Sequence, residues 1–189
     1  MNRRVATVVA TVVVLAVGGA FAIFRSAVPS EVRDKPGDPS AWTEVVWPFL
    51  VDQWGSGKAF KCRPARCDGP DVNLYIRAKL GSCNCATGVA TDEDLDRMSD
   101  FDLVSREVSP LAPGRPVRVG EMNGRVRAYA LTASRPGTSA ISIVFNDRCD
   151  MVVATVVLPK DQHATIEPAV LQFLNSAPLL HWAELALGL

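Results

Sequence analysis

Histidine is scarce in this chain: His163 and His181 are the only two in 189 residues, and both lie near the C-terminus. That leaves little for histidine-based catalysis or metal ligation. No G-x-S-x-G nucleophile turn occurs, and Cys149 and His163 share nothing beyond residue type to suggest a nucleophile–base pair. Gly57-Lys58 lacks the upstream glycine and the following hydroxyl of a phosphate-binding loop. Asp92, Asp94 and Asp96 imitate the start of a calcium loop, but Arg97 replaces its glycine and Leu103 its closing glutamate. These three acids are better read as a solvated helix face. No C-x-x-C pair accompanies the cysteines, and no cofactor motif is present. The pieces that general acid–base chemistry needs are missing or scattered, so an enzyme is disfavoured.

Charge of one sign is lacking as well. The chain balances 20 basic against 20 acidic residues. Nucleic-acid binding normally needs a clustered basic surface, so that class of partner is not expected.

What the chain does have is a long uncharged run. Residues 5–24, VATVVATVVVLAVGGAFAIF, follow Arg3 and Arg4 and end at Arg25. About 20 apolar residues suffice to cross the hydrocarbon core of a membrane. The same stretch can be divided into a basic start, an apolar centre and an A-x-A site ending at Ala22, as in a secretory signal. Both readings place Arg3 and Arg4 in the cytoplasm and export residues 25 onward. A retained anchor is preferred over cleavage after Ala22. The expected location is therefore the cell membrane, single-pass, with the domain on the periplasmic side, or the periplasm itself if the segment is removed.

Residues 25–40 are polar, contain three prolines and read as a linker. Residues 41–189 are long enough for one exported domain with its own core. Without Arg3 and Arg4 the chain carries 18 basic and 20 acidic residues, a net of −2.

Five cysteines, Cys62, Cys67, Cys83, Cys85 and Cys149, carry the strongest chemical signal. Four of them fall within 24 residues, as C-x4-C followed by C-x-C. In an exported protein such a cluster reads as a disulfide framework. A Cys83–Cys85 bond would close a very small ring, so pairs crossing between the two clusters are expected. Cys149 is then the odd thiol or a partner for one of the four. Two other uses of the same residues compete. Four thiolates could hold a metal, Cu(I) in particular, although C-x-C departs from the spacing of structural zinc sites. The C-x-C pair could also exchange disulfides with a partner. Structural staples are the favoured reading.

Pattern and turn chemistry predict an α+β domain, with an antiparallel sheet of four to five strands and C-terminal helices packed on it. Asp38-Pro39-Ser40 offers a cap to a helix carrying Trp42, Val45, Val46, Phe49 and Leu50, which Pro48 interrupts or ends. Val72 to Arg77 alternates as a strand. Thr91 caps a short acidic helix with Asp94 at its third position. Val117–Glu121 and Arg125–Thr132 flank Asn123-Gly124, a strong hairpin signal. Ser139–Phe145 and Met151–Leu158 make a second hairpin around 146–150. Thr165–Asn175 and Ala177–Leu187 read as helices, each with a hydroxyl cap and an early proline. By element order alone this plan is similar to small periplasmic α+β folds such as the PsbP-like family, a likeness that implies fold and nothing more.

Two surfaces could meet an acidic partner or lipid headgroup. Lys58, Lys61, Arg63 and Arg66 are interleaved with Cys62 and Cys67, while Arg118, Arg125 and Arg127 alternate with valines on the first hairpin. The simpler reading is arginine solvating the open face of a half-buried sheet. Of the four tryptophans, Trp42, Trp47 and Trp54 follow the linker closely, but core positions suit them better than the membrane interface.

The run from Trp47-Pro48-Phe49 through Cys62, Cys67 and Leu74-Tyr75-Ile76-Arg77 to Cys83-Asn84-Cys85-Ala86-Thr87-Gly88-Val89 resembles a group of bacterial envelope proteins of unassigned role. The likeness covers roughly residues 41–130, and it implies an exported, membrane-attached domain without a known reaction or ligand. The expectation is a tethered envelope domain that acts as a binding or structural accessory and meets an envelope protein partner. The alternative is Cu(I) handling or thiol–disulfide exchange at the cysteine cluster.

Overall fold

Strand β8 (Asp150–Pro159) sets the plan, because its residues 151–158 are all buried, as only a strand covered on both faces can be. The computed structural model describes residues 38–67, 71–132 and 137–189, which belong to one compact unit. They form an eight-stranded sheet: β1 (Trp42–Val45), β2 (Lys58–Cys62), β3 (Val72–Lys79), β4 (Val108–Pro110), β5 (Arg115–Val119), β6 (Met122–Leu131), β7 (Thr138–Asp147) and β8. The order across it is β1-β2-β3-β8-β7-β6-β4, with β5 also paired to β6 and all pairings antiparallel. The sheet is thus larger than the four to five strands expected.

Helices α2 (His163–Leu174) and α3 (Ala177–Leu187) cover one face. Ile166, Val170, Phe173, Leu179, Ala183 and Leu187 pack there against sheet residues that include Leu74, Ile76, Ile141, Ile143 and Val156. The other face is covered by helix α1 (Asp92–Met98) and the segments around it. Leu95, the one buried residue of α1, packs against Val144, Met151 and Val153. The α+β class with C-terminal helices on an antiparallel sheet is therefore as expected.

Three local expectations give way. The helix expected from Trp42 is strand β1, preceded by a single 3-10 turn at Pro39–Ala41. Asp38 does cap that turn, accepting from the Ser40 amide at 2.9 Å. Thr43, Val45 and Val46 are β-branched, and Pro48 removes a helical hydrogen bond just beyond them, so the extended chain wins. Asn123-Gly124 is not a turn either. Val119 pairs with Met122, so the hairpin turns at Gly120-Glu121, where Gly120 takes φ +57°. Finally, α2 begins at His163 with Gln162 at its cap and no capping side chain, and Pro168 sits inside the helix.

The second hairpin and the capping box of Thr91 with Asp94 follow the pattern read from the sequence, as do the span and early proline of α3, although Ser176 at its cap makes no capping hydrogen bond. No helix among the described residues is long and apolar enough to cross a membrane. The run 5–24 and most of the linker lie outside the described residues.

Candidate functional site

The cysteines do not pair as expected. Cys62 bonds Cys67 within its own cluster, across a tight turn in which the Cys67 amide donates to the Arg63 carbonyl at 3.0 Å. That turn brings the two Cα atoms to 6.0 Å, within disulfide reach, so no partner from the second cluster is needed. Cys85 bonds Cys149, which lies in the β7–β8 turn 64 residues away. The free cysteine is Cys83, buried beside that second bond. Its amide donates to the Cys149 carbonyl at 3.2 Å and its Sγ donates to the Arg148 carbonyl at 3.2 Å. Burial, then the nearby Asp150 carboxylate, push its thiol above the usual range. The four residues proposed as one thiolate cluster are thus separated: Cys62 and Cys67 bond each other, Cys85 bonds Cys149, and Cys83 stays a thiol. Among the described residues, no group of three or more His, Cys, Asp or Glu side chains is placed to hold a metal.

The two basic surfaces fall at opposite edges of the sheet. Lys58, Lys61, Arg63 and Arg66 sit on or after β2, near one edge. Lys58 pairs with Glu44 at 2.5 Å, Lys61 lies 3.7 Å from Asp71, and Arg66 donates to the Ser40 carbonyl at 2.6 Å. Arg63 is exposed beside the Cys62–Cys67 turn. The arginine hairpin β5–β6 lies toward the other edge.

On that hairpin the arginines meet the acidic helix. Residues that looked like two separate surface features in the sequence are complementary halves of one contact. Arg125 Nε donates to Asp92 at 2.5 Å, and its other nitrogens donate to the carbonyls of Ala90 and Gly114. Arg127 donates to Asp96 at 3.0 Å and to the Ala112 carbonyl at 2.8 Å. Tyr129, one register step further, donates its hydroxyl to Asp96. Burial, then this bond, raise the tyrosine's pKa. The Gly114 amide, followed by Arg125, holds the Asp92 carboxyl below the usual range. Period-two spacing puts residues 125, 127 and 129 on one face, and residues 92 and 96 stand one helical turn apart. The alternation was legible; the pairing was not, because it depends on how α1 lies across the strands.

A buried charge cluster continues the same face. Arg77 donates to Asp100 through Nε at 2.7 Å and Nη2 at 2.6 Å, and to Asp52 through Nη1 at 2.7 Å. Lys79 reaches Asp100 at 2.6 Å and the Met98 carbonyl at 2.9 Å, with the Trp54 ring 5.7 Å away. Burial works against the charge on Arg77, but its bonds to Asp100 and Asp52 outweigh that and raise its pKa. The alternating pattern of β3 gave no sign of this cluster. The one hint is that Arg77 and Lys79 stand two residues apart at the end of a strand that is buried on alternate positions.

Arg118 is placed differently from Arg125 and Arg127. Its side chain is 61% exposed and, among the described residues, pairs with its near neighbour Glu121 at 2.8 Å. With Arg125, Asn123, Asn146, Thr87 and Val89 it lines an open cleft of about 470 Å³. One wall is the loop that Cys85–Cys149 ties to the β7–β8 turn; the other is the arginine hairpin. Asn146 braces the loop, accepting from the Val89 amide at 3.2 Å and donating to the Arg148 carbonyl at 3.1 Å. The cleft has a cationic rim and amide side chains. It can hold a polar or anionic segment, and no nucleophile–base pair is built into it.

No family model matches the sequence, and no curated protein matches it. Among solved structures, the chain is similar to cyanobacterial PsbP from Synechocystis sp. PCC 6803, with 15% identity and a TM-score of 0.42 over 68% of this chain and 75% of that one. It is also similar to a protein of unknown function from Pseudomonas aeruginosa, with 14% identity and a TM-score of 0.41 over 71% of this chain and 94% of that one.

Proposed function

We propose that this chain is a membrane-tethered domain of the bacterial envelope, held outside the cytoplasm by residues 5–24 and acting as a non-catalytic binding or structural accessory. The Cys85–Cys149 bond carries the reading. Disulfides persist in oxidising compartments, and this one links segments 64 residues apart to make a wall of the cleft. The apolar run supplies the route of export. Arg118, exposed at the cleft rim, would meet an acidic group of an envelope protein partner, while Arg125 shapes the wall behind it.

A second reading, thiol–disulfide exchange, draws on the position of Cys83 against the Cys149 backbone. Its burial and raised pKa weigh against it, since the attacking species is an accessible thiolate. Cu(I) handling by Cys62, Cys67, Cys83 and Cys85 would require both disulfides to be open.

The test is intact mass of the full chain, extracted from membranes and alkylated with and without prior reduction. One alkylated thiol, appearing only after unfolding, is expected. Alkylation at three or more thiols before reduction, in a chain that remains folded, would overturn the stapled accessory and make the cysteines the active groups.

A further inference from the structure

We infer that the loop between β1 and β2 docks on the lipid surface, with Val46, Leu50 and Val51 entering the membrane interface. Val46 is 88% exposed, Leu50 92% and Val51 72%, three aliphatic side chains within six residues. A loop this apolar is seldom left in water unless something covers it. Its exposure is not looseness. Trp47 and Phe49 turn inward between these residues and pack edge-on with Tyr75, Phe49 at 4.8 Å and Trp47 at 6.2 Å. Asp52 then fixes the loop's end by its bond to Arg77 and by accepting from the Trp54 amide at 2.8 Å. Aromatic residues hold the loop down while aliphatic ones point out, the arrangement of a preformed wedge.

The charge at this site suits a bilayer. Asp52 is neutralised by Arg77 and Glu44 by Lys58, so among the described residues of this loop and its strand neither carboxylate is left unpaired against an anionic headgroup. The length of the preceding chain decides the occupant, an argument that rests on the tethered reading. Thirteen residues, 25–37, precede Asp38, and a chain of that length spans at most about 45 Å. Asp38 and Val46 are separated by eight residues, at most about 29 Å. The tether therefore delivers this loop to the bilayer surface and never lets it go far. Held at millimolar effective concentration, even a small apolar wedge stays engaged. Docked this way, the domain would have its β1 edge turned toward the membrane, with the Arg118 cleft toward the opposite edge of the sheet.

The experiment places tryptophan as a depth probe in the full chain, reconstituted in phosphatidylglycerol–phosphatidylethanolamine vesicles with or without brominated acyl chains. Leu50→Trp is compared with the parent protein and with Leu185→Trp, an exposed position on α3. Brominated lipid should quench the added Leu50→Trp emission roughly two-fold or more and leave that of Leu185→Trp unchanged. No quenching at position 50, or equal quenching at both, overturns the inference, including the cases where a second copy or a protein covers the loop. Alkaline carbonate extraction of native membranes reports the anchor separately. If carbonate releases the chain, the tether fails, while quenching by added vesicles still decides the docking.

Discussion

Asp100 grips Arg77 with both of its oxygens, each side chain only 3% exposed, so helix α1 and the segment after it are clasped to strand β3 by a buried, forked ion pair. Removing one partner would strand a charge away from water. Asp100→Asn should cost about 3–5 kcal/mol in urea unfolding at neutral pH. Asp52→Asn leaves Arg77 its forked partner and removes a carboxylate nearer the surface, so its cost should be less than half of that. Equal costs would mean that the fork is not the stronger contact.

Elements whose signals are local were legible in the sequence. The capping box at Thr91–Asp94, the β7–β8 hairpin and α3 depend on residues a few positions apart. What was not legible depends on distant partners. Asp92 and Arg125 read as two surfaces because nothing in either segment says that α1 crosses β6. Cys149 found Cys85 for the same reason, while Cys62 and Cys67 closed locally. Strand β1 runs against the sequence pattern because Trp42, Val45, Val46, Phe49 and Leu50 satisfy helical spacing, although only Trp42 among them is buried in the core. The spacing coincided with an edge strand followed by an exposed apolar loop.

The two disulfides should differ in worth. Closure of the 64-residue separation between Cys85 and Cys149 is worth about 4 kcal/mol by chain entropy, against about 2 kcal/mol for the five-residue separation of Cys62 and Cys67. Paired serine substitutions should lower the urea midpoint in that order, with Cys83→Ser in both backgrounds to prevent reshuffling. A larger loss from the Cys62–Cys67 pair would show that local geometry, not loop length, dominates.

Acid should release α1. Asp92, held low by the Gly114 amide and Arg125, and Asp94, held low by the Thr91 hydroxyl and amide, both titrate below their unfolded value of 3.8. Well above that value both are ionised in either state and their contribution is complete. As pH falls below it, the unfolded chain binds more protons than the fold does, so stability is lost. The urea midpoint should stay flat in this contribution from pH 7 to 5 and drop below about pH 4. Asp92→Asn should reduce the slope of that drop; an unchanged slope would remove Asp92 from the clasp.

Arg118 and Arg125 share a cleft but should behave as different kinds of residue. Arg118→Ala removes an exposed side chain whose partner is its own neighbour, and stability should move by no more than about 0.5 kcal/mol. Arg125→Ala leaves Asp92 and two carbonyls without their donor and should cost about 1.5–3 kcal/mol. If the costs were reversed, Arg118 would be the structural residue and Arg125 the one free to meet an acidic partner.

Gly124 lies where the sequence suggested a turn, and its lack of a side chain serves a different purpose. It sits inside β6 opposite Phe145, and a Cβ added there would come within 2.3 Å of the Val144 carbonyl oxygen and 2.7 Å of the Phe145 Cβ. Both neighbours belong to a central strand packed on two faces, so neither can move away freely. The glycine permits close approach of β6 to β7 at the floor of the Arg118 cleft. Gly124→Ala should therefore destabilise by about 1–3 kcal/mol or more. The Asn123→Ala variant next to it, at an exposed position, should change stability little. A turn at 123–124 would give a different pattern, with loss at both positions. Urea unfolding of the two single variants separates the strand from the turn.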